Sequence, residues 1–172
     1  MRHRIVAGLI ALAFTTSLAA APARADSFDA RRLPDLVALA KDNGQKGELK
    51  DRKSGKGQFF DGQDGELFFS MEPVDCAKGL TCKFVFFSAN WDQHDITAKQ
   101  MNGWNRFALS CAGYLDADNS PTLWYAPMVT GHEGRADVAL HFTRWHDCLG
   151  DFGDFLADPN GFLKTNVDGY VP

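Results

Sequence analysis

Along the second half of the chain, Val138, Phe142, Trp145, Leu149, Phe152 and Leu156 recur at alternating spacings of four and three residues. That spacing lines one face of an α-helix. The helix is expected to begin near Gly134 or Asp137, with Asp137 as its cap. It is expected to stop at Asp158-Pro159-Asn160-Gly161. Gly150 and Gly153 weaken it by ~1 kcal/mol each relative to alanine, and they suggest close approach of a neighbouring element. Near the start, Leu33, Leu36, Val37 and Ala40 repeat at helical spacing, with Pro34 acceptable in the first turn and Asn43-Gly44 as the stop. A third helix is announced by its own cap. Thr97 and Gln100 have capping-box spacing, and Ile96 and Met101 occupy the staple positions around it. Met101, Trp104 and Ala108 then share a face.

Between the helices the period changes to two. Gly47 to Arg52 is a weak, polar strand suited to an edge. Gln58 to Asp61 is a short strand, and Gly62-Gln63-Asp64-Gly65 is the hairpin turn expected after it. From Leu67 to Met71, Leu67, Phe69 and Met71 fall on one side and Phe68 and Ser70 on the other. Lys83 to Ser88 contains Phe84-Val85-Phe86-Phe87. A strand apolar on both sides predicts a central position with cover on both faces. Leu109 to Leu115 and Thr122 to Met128 read as two strands around the turn signal Asp116-Ala117-Asp118-Asn119-Ser120-Pro121. Residues 161–172, with Phe162, Val167, Tyr170 and Val171, read as an added edge or a trailing segment. The expected class is α+β: an antiparallel sheet of five to six strands covered by helices, in the order α-β-β-β(-β)-α-β-β-α.

The first 25 residues change the picture. Arg2 and Arg4 precede the uncharged run from Ile5 to Phe14, and Ala23-Arg24-Ala25 has the form of a signal-peptidase site. Residues 1–25 are expected to be a signal peptide, leaving residues 26–172 as one domain with its core at 33–157. Its removal takes away Arg2, Arg4 and Arg24 and leaves 15 basic residues against 22 acidic, a net charge of −7. Nucleic acid and anionic membrane surfaces call for basic patches, so neither is expected as a partner. No later stretch is apolar for the ~20 residues that a spanning helix needs, so no membrane span is expected after cleavage. The expected location is periplasmic or secreted.

Four cysteines, Cys76, Cys82, Cys111 and Cys148, follow the leader. An even count in an exported chain reads as disulfides. Of the three pairings, Cys76–Cys82 with Cys111–Cys148 is favoured. The first would staple two strands and the second would tie a late strand to the last long helix. A metal site is the rival, but neither a C-x-x-C nor a paired-histidine spacing is present. No metal or cofactor is expected.

Candidate chemistry is sparse. There is no nucleophile elbow, P-loop or dinucleotide fingerprint. Lys50, Arg52, Lys53 and Lys56 could be a phosphate patch but read better as a solvated loop. His94, His132, His141 and His146 are the histidines after the leader, and His141 and His146 are too far out of phase on a helix to be joint ligands. His146-Asp147-Cys148 suggests a catalytic cysteine, which a disulfide would disarm. Asp116 to Ser120 resembles the opening of a calcium loop, but Pro121 and Pro127 stand where that loop needs glycine and glutamate. The aromatic-rich hairpin could be a stacking platform for bases or sugars; core packing is the better reading. Trp104 reads as a core anchor, and Asn105 as a buried amide that satisfies nearby backbone.

One stretch carries a family resemblance. Asn102-x-Trp104-Asn105 is followed by Arg106-Phe107, a strand into Asp116-x-Asp118, a second strand into a turn at Gly131, and the Trp145–Phe152–Leu156 helix. Upstream, Cys82 to Phe87 and then Trp91-Asp92 fit as well. The chain resembles the YbjN-like family, bacterial proteins described as sensory transduction regulators, whose fold is similar to type III secretion chaperones. Two departures point to a periplasmic relative: the export signal, and Trp124-Tyr125-Ala126-Pro127 where members usually hold acidic residues. The resemblance implies a structural role for Asn102, Trp104, Asn105, Arg106, Phe107, Asp116, Asp118, Trp145 and Phe152. It also implies a non-enzymatic protein- or peptide-binding regulator or chaperone-like module of the cell envelope, with a homodimer among the assemblies it allows. An alternative is a periplasmic hydrolase that gathers distant residues such as Asp92, His94 and Asp118 into one cleft. Another is a small-ligand carrier with a deep dry pocket lined by phenylalanines.

Overall fold

The structure, a computed structural model, describes residues 28–55, 57–77 and 82–172. The leader and Lys56 lie outside the described residues. The chain runs α1 (Leu33–Asp42), β1 (Lys46–Asp51), β2 (Gln58–Asp64), β3 (Leu67–Cys76), β4 (Cys82–Asn90), α2 (Ala98–Phe107), β5 (Ala112–Leu115), β6 (Pro121–Tyr125), α3 (Arg135–Ala157) and α4 (Pro159–Asn166). The six strands form one antiparallel sheet in the order β1-β2-β3-β4-β6-β5. The class is α+β, as the patterning predicts.

Local chemistry explains most boundaries. At α2, Gln100 N donates to Thr97 Oγ1 at 3.2 Å and Thr97 N donates to Gln100 Oε1 at 2.8 Å. This reciprocal pair satisfies two otherwise orphaned amides. Ile96 and Met101 are buried on either side of it. The start of α3 differs from expectation. Gly134 is the cap, and Asp137 sits three residues in, accepting from Gly134 N at 3.1 Å.

The signal at Asp158-Pro159 both ends α3 and starts α4. Asp158 Oδ1 accepts from Gly161 N at 3.0 Å, and Pro159 fits a first helical position. The tail therefore carries a helix rather than an edge strand. Its Leu163 is fully buried and presses on α2 where Gly103 leaves room: a Cβ there would lie 2.7 Å from Leu163 Cδ1. Within α2 and α3 it is Gly103, and not Gly150 or Gly153, that permits a close approach. A Cβ at either α3 position meets nothing within 4 Å.

Three strand boundaries also move. Gly62 is inside β2, opposite Phe69, and the turn is at Gly65-Glu66. A Cβ on Gly62 would strike the Phe69 and Phe60 rings at 2.5–2.8 Å, so this glycine makes room for rings rather than a turn. β5 begins only at Ala112, where pairing to Trp124 begins, and Leu109 is 97 % exposed. The regular ladder of β6 ends at Tyr125, two residues before Pro127, which has no N–H to donate. Beyond it one bridge joins Met128 to Phe84.

The core lies between one face of the sheet and the helices. Phe60, Phe69, Met71, Val85, Phe87, Ala89 and Leu123 point into it from the strands. Phe142, Trp145, Phe152 and Phe155 meet them from α3, and Trp104 from α2. The Phe87 ring lies edge-on to Phe142 with centroids 5.4 Å apart, and Trp104 stands edge-on to Phe152 at 4.8 Å. The cysteines are joined as Cys76–Cys82 and Cys111–Cys148. Cys76 and Cys82 are cross-strand partners at the ends of β3 and β4, and Cys111–Cys148 ties the start of β5 to α3. Two disulfides are compatible with an oxidising compartment. Among the described residues, no helix is long and apolar enough to cross a membrane.

Candidate functional site

β4 is central in the sheet, but among the described residues helices cover it on one side only. Paired residues of an antiparallel ladder share a face, so the register sorts the side chains. Phe60, Phe69, Met71, Val85 and Phe87 face the helices. Phe59, Phe68, Ser70, Glu72, Val74, Phe84, Phe86, Ser88 and Trp124 face the other way. The two-sided cover expected from Phe84-Val85-Phe86-Phe87 is therefore not present among the described residues. Phe84 and Phe86 are half-buried, and the Phe86 and Trp124 rings stack with centroids 6.1 Å apart. Phe68 is 69 % and Met128 64 % exposed on this face.

Polar groups frame the aromatic stripe. Ser70 and Ser88 share a hydrogen bond at 2.8 Å, and Asn90 Nδ2 donates to Thr122 Oγ1 at 2.8 Å. Toward β1, Lys50 pairs with Asp61 and Glu48, and Arg52 pairs with Glu72. Lys50 and Arg52 thus face carboxylates of their own chain, the opposite of an anion site. The sequence signal for this face was the run at Phe84–Phe87, which reveals apolar character on both sides but not which side the helices take.

Most of the residues singled out by the resemblance pack or hydrogen-bond within the fold. Trp104 is 1 % exposed and contacts Phe107, Phe152, Phe155 and Phe162. Its Nε1 and that of Trp145 are buried without a hydrogen-bond partner. Asn105 is exposed rather than buried, yet its amide does what was expected. Nδ2 donates to Gly113 O at 2.9 Å and Oδ1 accepts from Gly113 N at 2.8 Å. The side chain thus pairs with β5 as a strand would, locking α2 to the sheet. Arg106 reaches Asp168 O at 3.4 Å, while Asn102 is exposed on α2. Asp116 Oδ1 accepts from the amides of Asp118 and Ser120, which makes the segment a side-chain-braced turn. Phe107 packs on Phe162, and Phe152 lies under Trp104 and Trp91.

The candidate hydrolase residues are only partly gathered. His94 Nε2 lies 3.1 Å from Asp92 Oδ1, both side chains being well exposed. Among the described residues, no hydrogen bond or ion pair joins Asp118 to them. Cys148, next to His146 and Asp147, is in a disulfide. A small space lined by Leu36, Val85, Phe87, Val138, His141 and Phe142, among others, has no room for a water molecule.

Three polar clusters were not legible from spacing. Tyr125 Oη and His141 Nδ1 are 2.7 Å apart. Burial raises the Tyr125 phenol and lowers the His141 imidazole, so both groups favour their neutral forms. Glu133 caps the loop before α3. Burial alone would raise its pKa, but N–H bonds from Thr130 and Gly131 and the Thr130 hydroxyl outweigh it and hold the carboxyl at about 2. The third cluster joins Gln45, Asp64 and His146 across 101 residues of sequence. Asp64 accepts from both partners, and Gln45 Oε1 is left buried with no donor, a state that costs about 1–3 kcal/mol.

No family model matches the chain, and no curated protein or solved structure matches it.

Proposed function

We propose that this chain is an exported, non-enzymatic, YbjN-like binding module of the cell envelope, periplasmic or secreted, that takes a protein or peptide partner on the open face of its sheet. The observation that carries the reading is the aromatic cluster of Phe84, Phe86 and Trp124, with the exposed Phe68 beyond the Ser70–Ser88 pair, which no helix covers among the described residues. Contiguous exposed apolar surface rimmed by polar groups marks interaction sites. Aromatic residues are enriched at protein interfaces, and tryptophan is a frequent energetic hot spot there. The ion pairs of Lys50 and Arg52 at one rim leave a surface without strong net charge, so the fitting partner is an apolar or amphipathic segment rather than a polyanion. The two disulfides and the expected leader support the envelope location, and the regulatory or chaperone-like role follows the family resemblance.

The test is co-purification from envelope extract with the native protein and with a Phe68→Ser, Phe86→Ser, Trp124→Ser variant. A partner held by the native chain should be lost about tenfold or more from the variant, while both disulfides and the near-ultraviolet signature of Trp104 and Trp145 persist. Equal recovery of the same partner with both proteins refutes the reading.

A further inference from the structure

Where the turn after α1 meets β2 and α3, a cleft of about 260 Å³ opens, lined by Asn43, Gln45, Asp64, Phe142, Thr143 and His146. Asp64 is the carboxylate of this cleft, and its side chain is 14 % exposed. Its Oδ1 accepts from His146 Nδ1 at 3.0 Å, and its Oδ2 accepts from Gln45 Nε2 at 3.0 Å. An ionised carboxylate can only accept, so these bonds place the imidazole proton on Nδ1 and turn the Gln45 nitrogen inward. In the neutral ring, His146 Nε2 is then an acceptor.

The other lining groups follow the same rule. Gln45 is 4 % exposed and its Oε1 has no partner. Asn43 directs Nδ2 to Leu39 O, and Thr143 directs its hydroxyl proton to Ala139 O at 3.5 Å. The backbone amides of Asn43, Gly44 and Gln45 also turn back onto carbonyls of α1. The backbone amides, the Thr143 hydroxyl and one N–H of each side-chain amide are committed within the fold. Acceptors remain, gathered around one negative charge, and each Asp64 oxygen keeps a second lone pair.

We propose that the cleft formed by Gln45, Asp64, Thr143 and His146 binds an N–H-bearing organic cation, with guanidinium the best-matched head group. Guanidinium presents five donors in a rigid plane and no acceptor, which complements a lining that offers acceptors. The cleft is smaller than the ~300–1,000 Å³ of a drug-sized site, so it takes a head group rather than a large ligand. One carboxylate and one imidazole are fewer side-chain ligands than a structural or catalytic zinc ion takes, which sets the organic cation above a metal ion. The net negative charge after the leader favours cations generally. The source is a free guanidino compound or the arginine side chain of a peptide. The proposal stands on different residues from the open sheet face and survives its failure.

The experiment is a nuclear magnetic resonance titration of the isotope-labelled oxidised protein at about pH 8, above the ordinary imidazole range. The probes are methylguanidinium chloride and the tripeptide Gly-Arg-Gly, with urea and tetramethylammonium chloride as controls. Both guanidinium probes should move the Gln45 side-chain amide and the His146 ring saturably, the tighter one identifying the source. Urea lacks the charge and tetramethylammonium lacks the N–H groups, so each should bind about tenfold more weakly. Asp64→Asn should weaken guanidinium binding about tenfold, and Thr143→Val, on the exposed helix surface, about threefold. Equal binding of tetramethylammonium and methylguanidinium overturns the proposal, as does the absence of a saturable shift at Gln45 and His146. If Asp64→Asn does not fold, unchanged affinity in Thr143→Val together with equal control binding overturns it.

Discussion

On one face of the sheet, Phe60, Phe69, Met71, Phe87 and Leu123 lie beneath the helices and are at most 3 % exposed. On the other, Phe59, Phe84, Phe86 and Trp124 are half-buried with no helix above them among the described residues, and Phe68 stands 69 % exposed. The two faces share their aromatic character, so composition does not separate them; the positions of the helices do. An antiparallel sheet can leave one face in water, and that face is ordinarily polar. Here it keeps aromatic side chains, with Ser70 and Ser88 between Phe68 and Phe86, and with Asn90 and Thr122 at one end. The covered face carries the larger share of the stability, and the open face leaves aromatic area in water.

Adjacent residues of β4 give the widest separation between the two roles. Phe87→Ala opens a cavity under Phe142 and Trp145 and should cost about 3–5 kcal/mol. Phe86→Ala removes a half-buried ring on the open face and should cost about 1–2 kcal/mol. Denaturant midpoints of the two variants check this, and similar losses would mean that the open face is part of the fold's own core.

The disulfides divide in the same way. Cys111–Cys148 ties the sheet to the covering helix and closes the longer loop, so replacing both cysteines by serine should cost roughly 4 kcal/mol. Cys76–Cys82 clips neighbouring strands already paired in the ladder, and its loss should cost roughly 2 kcal/mol on the same model. Urea denaturation of the two double variants measures the difference.

A smaller effect sharpens the edge of the covered layer. Glu133 holds the loop before α3, and its folded pKa, about 2, lies below the usual carboxylate value of 4.5. A depressed folded pKa contributes stability above the unfolded pKa, and that contribution fades as pH falls through the folded value. Glu133→Gln should therefore be less stable than the native protein at neutral pH. The two should converge as pH falls from about 4.5 to about 2, and melting curves across that window test it.

Helical periodicity and the Thr97–Gln100 cap were enough to place α1, α2 and α3, because those signals are local. The Asn105–Gly113 clasp was half legible: an amide next to a core tryptophan suggests a backbone partner, though not that the residue would stay exposed. The β2–β3 turn was misplaced because glycine serves two purposes, and at Gly62 it makes space for the Phe60 and Phe69 rings. α4 was missed because Asp-Pro reads as a stop when it is also a cap and a first turn. Cover on β4 could not be read from its own sequence, since it depends on which side three distant helices choose. The Gln45–Asp64–His146 cleft had no sequence spacing at all; its parts meet only through the packing of α3 against the β2 end of the sheet.

The most direct test of the open face as the recognition surface is site-specific photocrosslinking in the living cell. A photoreactive phenylalanine analogue replaces Phe68 or Phe86 on the open face, and Leu140, 67 % exposed on α3, serves as the comparison. The account predicts a discrete crosslinked species from positions 68 and 86 and none from position 140. A discrete species from position 140 alone, with both open-face positions silent, would contradict it.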